Sequence, residues 1–226
     1  MVKGIKSGSR VLAVRVKKVA GRSVSSTRWL QRQLNDPYVH EAHKVGYRSR
    51  AAFKLRQLDD QYHFLKSGQK IVDLGAAPGG WTQVAVERGC KVLAVDLIDM
   101  PAIEGARFLQ MDFSQPDAPQ KLLQEIGSKV QVVLSDMAPN TTGHLGTDHL
   151  RIMALAEMAY DFAKQILAPG GTFLVKLRQG GAQQSLLAML KHDFGQVRHV
   201  KPPASRPDSS ELYLLALKFK NIETKK

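Results

Sequence analysis

The stretch "IVDLGAAPGGWTQ", residues 71–83, decides the fold. Ile71 to Leu74 read as a buried strand, Gly75 to Gly80 as a tight glycine-rich turn, and Trp81 onward as the start of a helix. Gly75, Gly79 and Gly80 let the backbone turn sharply and let a ligand approach it closely. The dinucleotide fingerprint G-x-G-x-x-G does not fit, because the third position counted from Gly75 is Ala77. Pro78 also removes an N–H that a pyrophosphate cradle would use. No G-K-[ST] follows, so the turn is not a P-loop.

Outward from this turn the pattern alternates. Short β-rich runs stand at "KIVDLG", "KVLAVDLI", "RFLQMDF", "VQVVLSDM", "GTFLVKL" and "ELYLLALKF". Helical segments lie between most of them. The clearest is "DHLRIMALAEMAYDFAKQIL", where Leu150, Met153, Ala154, Met158 and Phe162 are expected to form one apolar face. Upstream, "YRSRAAFKLRQLDDQYHFL" predicts a helix capped by Ser49, with Ala52, Leu55, Leu58 and Tyr62 at helical spacing. Strand alternating with helix implies an α/β, doubly wound, mainly parallel sheet. Ligands of such sheets sit beyond the carboxyl ends of the strands.

Acids close successive strands at that edge. Asp96 ends the second strand, where an acid accepts hydrogen bonds from ribose hydroxyls. Asp112 ends the third, in reach of an adenine amino group, and Asp73 can orient the turn or an amino-acid ammonium. Adenosine joined to a zwitterionic amino acid describes S-adenosylmethionine. A purely structural turn with solvated acids is the alternative reading.

The 226 residues suit one domain with a small appendage and carry a formal net charge of +13. Residues 1–60 hold 14 Lys and Arg against four acids, so most of the excess is N-terminal. A polyanionic partner follows, since neutralising phosphates releases counterions. A solvated tail and an acid-free, serine-bearing mitochondrial presequence are the other readings of that segment. Gly4, Gly8, Gly21 and several serines predict a mobile basic arm over residues 1–40, ahead of a catalytic domain over 41–221. No apolar run reaches 18 residues, and no secretory pattern opens the chain, so neither a membrane span nor export is expected. Cys90 is the single cysteine and reads as a small apolar residue in a reducing compartment. His40 and His43 have helical spacing but no third ligand, so no metal site is expected.

Five segments in order, "GYRSRAAFKL", "VDLGAAPGGW", "LSDMAPN", "GGTFLVKL" and "SSELYLLAL", give a more specific indication. Together they resemble the FtsJ/RlmE family of RNA ribose 2′-O-methyltransferases over roughly residues 35–220. The resemblance implies a seven-stranded Rossmann-like methyltransferase fold and S-adenosylmethionine as cofactor. It also implies a catalytic Lys-Asp-Lys-Glu tetrad falling on Lys54, Asp136, Lys176 and Glu211. Family cofactor contacts fall on Gly79, Trp81, Asp96, Asp112 and Asp136. The "DLGAAPGGW" form is similar to the bacterial branch that modifies a uridine of 23S rRNA on the large ribosomal subunit. "QYHFL" resembles the tRNA branch, which keeps tRNA methylation as an alternative, beside a non-catalytic ribosome-binding protein of the same fold. A cytoplasmic monomer is expected.

The residues themselves lean the same way. Lys176 follows an apolar strand, where a lysine needs a partner or a purpose. Lys54 lies beside an apolar helix face, Asp136 ends "VQVVLSD", and Glu211 opens an otherwise apolar strand. Lys176 is expected to align the ribose hydroxyl and accept its proton. Burial and Lys54 would lower its pKa while Asp136 and Glu211 would raise it, which leaves its protonation open. Arg48 and Arg50, near Lys54, are the expected RNA contacts. Two departures from the family pattern bear on substrate contacts: Arg178 stands in "VKLRQG" where an aromatic is common, and "ASRPDSSELY" matches only approximately around Glu211.

Overall fold

A computed structural model describes residues 14–16, 24–139, 142–180 and 183–220. Seven strands form one sheet: β1 (Lys70–Leu74), β2 (Lys91–Asp96), β3 (Ala106–Gln110), β4 (Val130–Ser135), β5 (Leu167–Arg178), β6 (Phe194–Val200) and β7 (Glu211–Phe219). Their spatial order is β3-β2-β1-β4-β5-β7-β6, parallel except for β7, which runs antiparallel to both its neighbours. The order reverses beside β1, so the turn after β1 opens onto a crevice at the strands' carboxyl ends.

Alternation along each central strand feeds two cores. Val72, Leu74 and Val133 join one with α5 (Ala118–Ile126), α6 (Leu145–Ile166) and α7 (Gln184–Asp193). Ile71, Val132, Leu134 and Leu174 join the other with α3 (Ala51–Tyr62) and α4 (Gly80–Glu87). Such strands must be apolar on both faces, which is why they read as continuous apolar runs. Each fully buried Leu, Ile or Phe contributes about 1.5–3 kcal/mol to the fold.

Three expectations shift. β6 is absent from the β-rich runs because "FGQVRHV" is half polar; as an edge strand it has one neighbour and an exposed middle. On α6 Met153 and Phe162 are buried as expected, together with Ala156, Ala159, Tyr160, Ala163 and Ile166, while Leu150 is 64 % exposed and Ala154 is exposed too. The Ser49 hydroxyl does not cap α3: it is buried without a hydrogen-bond partner, and Arg50 occupies the cap position.

Two helices fall partly or wholly within the residues 1–40 expected to form the basic arm. α1 (Val24–Leu34) and α2 (Pro37–Val45) are helical. Asp36 caps α2 by accepting from the Tyr38 N–H at 3.0 Å, with Pro37 at the first helical position, and Gly46 closes it in the left-handed conformation. Residues 1–13 and 17–23 of the expected arm lie outside the described residues.

Candidate active site

At the carboxyl edge, four charged side chains from four elements converge. The first turn of α3 carries Lys54, whose Nζ lies 2.7 Å from both Glu211 carboxylate oxygens at the start of β7. Asp136 directly follows β4, and its N–H donates to the Leu74 carbonyl at 3.1 Å, which ties it to the end of β1. Lys176, on β5, donates to the Asp136 backbone carbonyl and lies 3.0 Å from Asp136 Oδ1. The result is two ion pairs with no net charge, each largely removed from solvent. Ser205 Oγ donates to Glu211 Oε1 at 2.9 Å. Burial alone would raise the Glu211 pKa, but the charge and hydrogen bond of Lys54, the Ser205 bond and the Lys176 charge outweigh it, so Glu211 sits below its ordinary value.

A cavity of about 470 Å³ opens over this group, lined by Arg32, Arg50, Lys54, Lys176, Arg206 and Glu211 among others. Its arginine wall is built on Asp36. That buried carboxylate meets Arg50 at 2.6 Å and Arg206 at 3.0 Å, so two guanidiniums share one anion and the wall stays positive. Burial pulls the Arg50 pKa down, Asp36 opposes it and Arg206 adds to it, and the outcome is a lowered value. Arg178 Nε donates to Ser210 Oγ at 2.8 Å at the same rim.

The glycine turn forms the other half of the crevice. The N–H groups of Gly75 and Ala76 donate to the Val95 carbonyl at 2.9 and 3.1 Å. Gly75 has φ +76°, and a Cβ there would lie 2.8 Å from the Met137 backbone nitrogen, so only glycine fits. Asp96 accepts from the Ala77 N–H through Oδ2 and from the Ile98 N–H through Oδ1, both at 2.8 Å. Asp112 bonds to the Ser114 N–H and hydroxyl and to Gln115, contacts that hold its carboxyl below the usual range. Trp81 is buried, with its indole N–H donating to the Ala51 carbonyl at 3.0 Å. Its side chain therefore belongs to the core, and its N–H in the first turn of α4 is the part that can face a ligand. Gly79 precedes that turn with φ +109°.

Asp73 lies beneath the turn, wholly buried. Its Oδ2 accepts from the Thr82 hydroxyl at 2.7 Å, while Oδ1 has no hydrogen-bond partner. Desolvation, aided by the charges of Asp136 and Asp96 and opposed by Thr82, pushes its pKa up to about 7. An orphaned carboxylate oxygen below a glycine cradle fits a ligand carrying an ammonium group.

The structure thus brings Lys54, Asp136, Lys176 and Glu211 together, with Gly79, Asp96 and Asp112 along the adjoining edge. The two arginines expected to contact RNA both have partners within the fold. Arg48 is committed to carbonyls, donating to Pro78 at 3.3 Å, Pro101 at 2.6 Å and Ala102 at 2.8 Å, so it clamps the glycine turn to the loop after β2. Arg50 is tied to Asp36 and to the Ala204 carbonyl, although it still lines the cavity. Asp36, Ser205 and Arg206 went unnoticed as site residues in the sequence, since an isolated acid, serine or arginine in a loop carries no periodic signal.

Comparison with known proteins identifies the family. The FtsJ-like methyltransferase family model matches residues 47–219. Relatives called ribosomal RNA large subunit methyltransferase E are similar throughout. The one from Xanthobacter autotrophicus is 58 % identical over 93 % of this chain and 85 % of its own length. That from Azorhizobium caulinodans is 57 % identical over 94 % and 91 %. Among solved structures, a ribosomal RNA methyltransferase from Plasmodium falciparum superposes with a TM-score of 0.69 at 34 % identity, over 76 % of this chain and 98 % of that one. With the family model spanning most of the sequence and relatives above half identity, the chain belongs to the FtsJ-like methyltransferase family.

Proposed function

We propose that this chain is an S-adenosylmethionine-dependent ribose 2′-O-methyltransferase acting on a uridine of 23S rRNA in the large ribosomal subunit, as a cytoplasmic monomer. One observation carries the reading: two lysines and two acids, distant in sequence, meet as paired ions beside a glycine turn that fits an adenosyl amino acid. The names of the relatives support the large-subunit substrate.

The cofactor, when bound, supplies a methyl group already activated by a sulfonium. The residues that would hold it are Gly79 and the Trp81 N–H at the turn, Asp96 for ribose hydroxyls, Asp112 for the adenine edge, and Asp73 and Asp136 toward the amino-acid end. Leu97 and Ile98, exposed beside Asp96, offer an apolar face for the base.

Lys176 donates to the Asp136 carbonyl and is ion-paired with Oδ1 at 3.0 Å, and an N–H of its ammonium is left for the ribose 2′-oxygen. Through that N–H it aligns the oxygen for in-line attack: the O–CH3 bond forms as the sulfonium S–CH3 bond breaks, and the hydroxyl proton, made acidic on the methylated oxygen, passes late to water. Alignment of this kind can contribute more than the 10²–10⁴-fold typical of proton transfer. Lys54 and Glu211 fix the nucleotide side of the network. RNA is the nucleic acid that carries a 2′-hydroxyl, and the arginine wall over the tetrad suits its phosphates.

Tritiated methyl transfer to intact large subunits, naked rRNA and tRNA, compared in one assay, tests the reading. Incorporation into large-subunit RNA at a ribose 2′-oxygen is the expected outcome. Preference for tRNA would move the substrate, and no transfer to any RNA would overturn the proposal.

A further inference from the structure

Tyr213 stands in "ELYLLALKF", where it reads as one more apolar-strand residue, and its side chain is fully buried. It pairs with Lys176 across the β5–β7 ladder. Its ring packs on Trp81 at 5.7 Å between centroids, and Lys54 Nζ lies 5.8 Å from the ring centre. The hydroxyl is the informative part. It accepts from Lys54 Nζ at 3.2 Å and donates to Asp136 Oδ1 at 3.2 Å. Those directions are forced, because an ammonium cannot accept and an ionised carboxylate cannot donate.

Without this hydroxyl, Lys54–Glu211 and Lys176–Asp136 are two separate ion pairs. With it, they form one continuous chain: Ser205 to Glu211, Lys54 to Glu211 and to Tyr213, Tyr213 to Asp136, Lys176 to Asp136. The atom that receives the tyrosine bond, Asp136 Oδ1, is also the atom that meets Lys176 at 3.0 Å. We propose that Tyr213 is a fifth, positioning member of the site, whose hydroxyl fixes the Asp136 carboxylate and through it the Lys176 amine that aligns the ribose oxygen. This deepens the methyltransferase reading above and rests on it. Burial, with the charges of Asp136 and Glu211, raises the phenol well above its ordinary value, so the hydroxyl keeps its proton and remains a donor at any working pH.

The test is Tyr213→Phe in the full chain, which keeps the ring against Trp81 and removes the hydroxyl alone. Turnover on large ribosomal subunits is expected to fall about 10- to 100-fold, the factor for a hydrogen bond to a charged group. KM for the RNA and the affinity for S-adenosylhomocysteine, titrated calorimetrically, should stay within about threefold. The decisive comparison uses the Lys176→Ala background. If Tyr213 acts through Lys176, the same Phe substitution there costs less than about threefold in single-turnover tritium transfer. A packing role would give the same factor in both backgrounds, and that equality would overturn the inference, as would full turnover by Tyr213→Phe. Should the Phe variant fail to fold, p-aminophenylalanine at 213 retains ring and donor and is expected to restore most of the rate; a folded but inactive protein would count against the proposal. A wild-type chain that methylates no RNA would instead sink the underlying reading, and this inference with it.

Discussion

Lys54 and Glu211 are separated by 157 positions in the chain and by 2.7 Å in space. One sits in the first turn of the helix before the sheet, the other opens the last strand. Their meeting requires the whole sheet to be complete, so the pair reports on the assembled domain and not on any local segment.

Lys176→Ala removes the amine proposed to align the ribose oxygen. Turnover is expected to fall by at least about 100-fold, with S-adenosylhomocysteine affinity preserved, because the change acts on alignment of the nucleophile. Single-turnover methyl transfer and calorimetry together check it. Near-normal turnover with cofactor bound would take Lys176 out of the mechanism.

Arg48→Ala separates two readings of that arginine. Since its guanidinium ties the carbonyls of Pro78, Pro101 and Ala102 together, losing it should loosen the cofactor edge. S-adenosylhomocysteine affinity is expected to drop about tenfold. The slope of RNA affinity against salt should stay unchanged, whereas a direct phosphate contact would lower it by about one.

Asp36→Ala leaves two guanidiniums without their shared anion and α2 without its cap. Removing one partner of a buried pair typically costs about 3–5 kcal/mol; Arg206 is partly exposed, so about 2–4 kcal/mol is expected. Urea unfolding measures it. A loss below about 0.5 kcal/mol would mean that Asp36 does not organise the wall.

Asp73 and Glu211 predict opposite pH effects. The Asp73 carboxyl titrates at about 7 in the folded chain against an ordinary 3.8. Between those values the folded chain keeps a proton that the unfolded chain has lost, so its contribution to stability declines as pH rises from about 4 to about 7 and then levels. Asp73→Asn should flatten that slope, by at most about 4 kcal/mol over the window. Glu211 lies below its ordinary 4.5, so its contribution is present above that pH and is lost on further acidification. Unfolding free energies of wild type and Asp73→Asn at pH 5 and pH 8 decide the first point. An unchanged difference between the two pH values would refute it.

The central strands and the glycine turn were legible in the sequence because two-sided burial writes an apolar run and a sharp turn writes glycine. The charged members of the site were legible because a lysine or glutamate stands out against an apolar strand. Tyr213 was not, since a tyrosine among leucines looks like core; its ring is core, and only its hydroxyl is otherwise engaged. β6 stayed hidden because an edge strand needs no apolar alternation. α1 and α2 were obscured by the glycine- and serine-rich residues before them, and the use of Arg48 depends on three carbonyls that no side-chain pattern announces.

In the β5–β7 ladder, Lys176 faces Tyr213 and Arg178 faces Glu211. Sliding either strand by one residue would turn half of these side chains to the opposite side of the sheet. A last strand docked one residue out of step would therefore carry Glu211 and Tyr213 away from Lys54 and Asp136, and the first appearance of activity during refolding is expected to report that β7 has found its place.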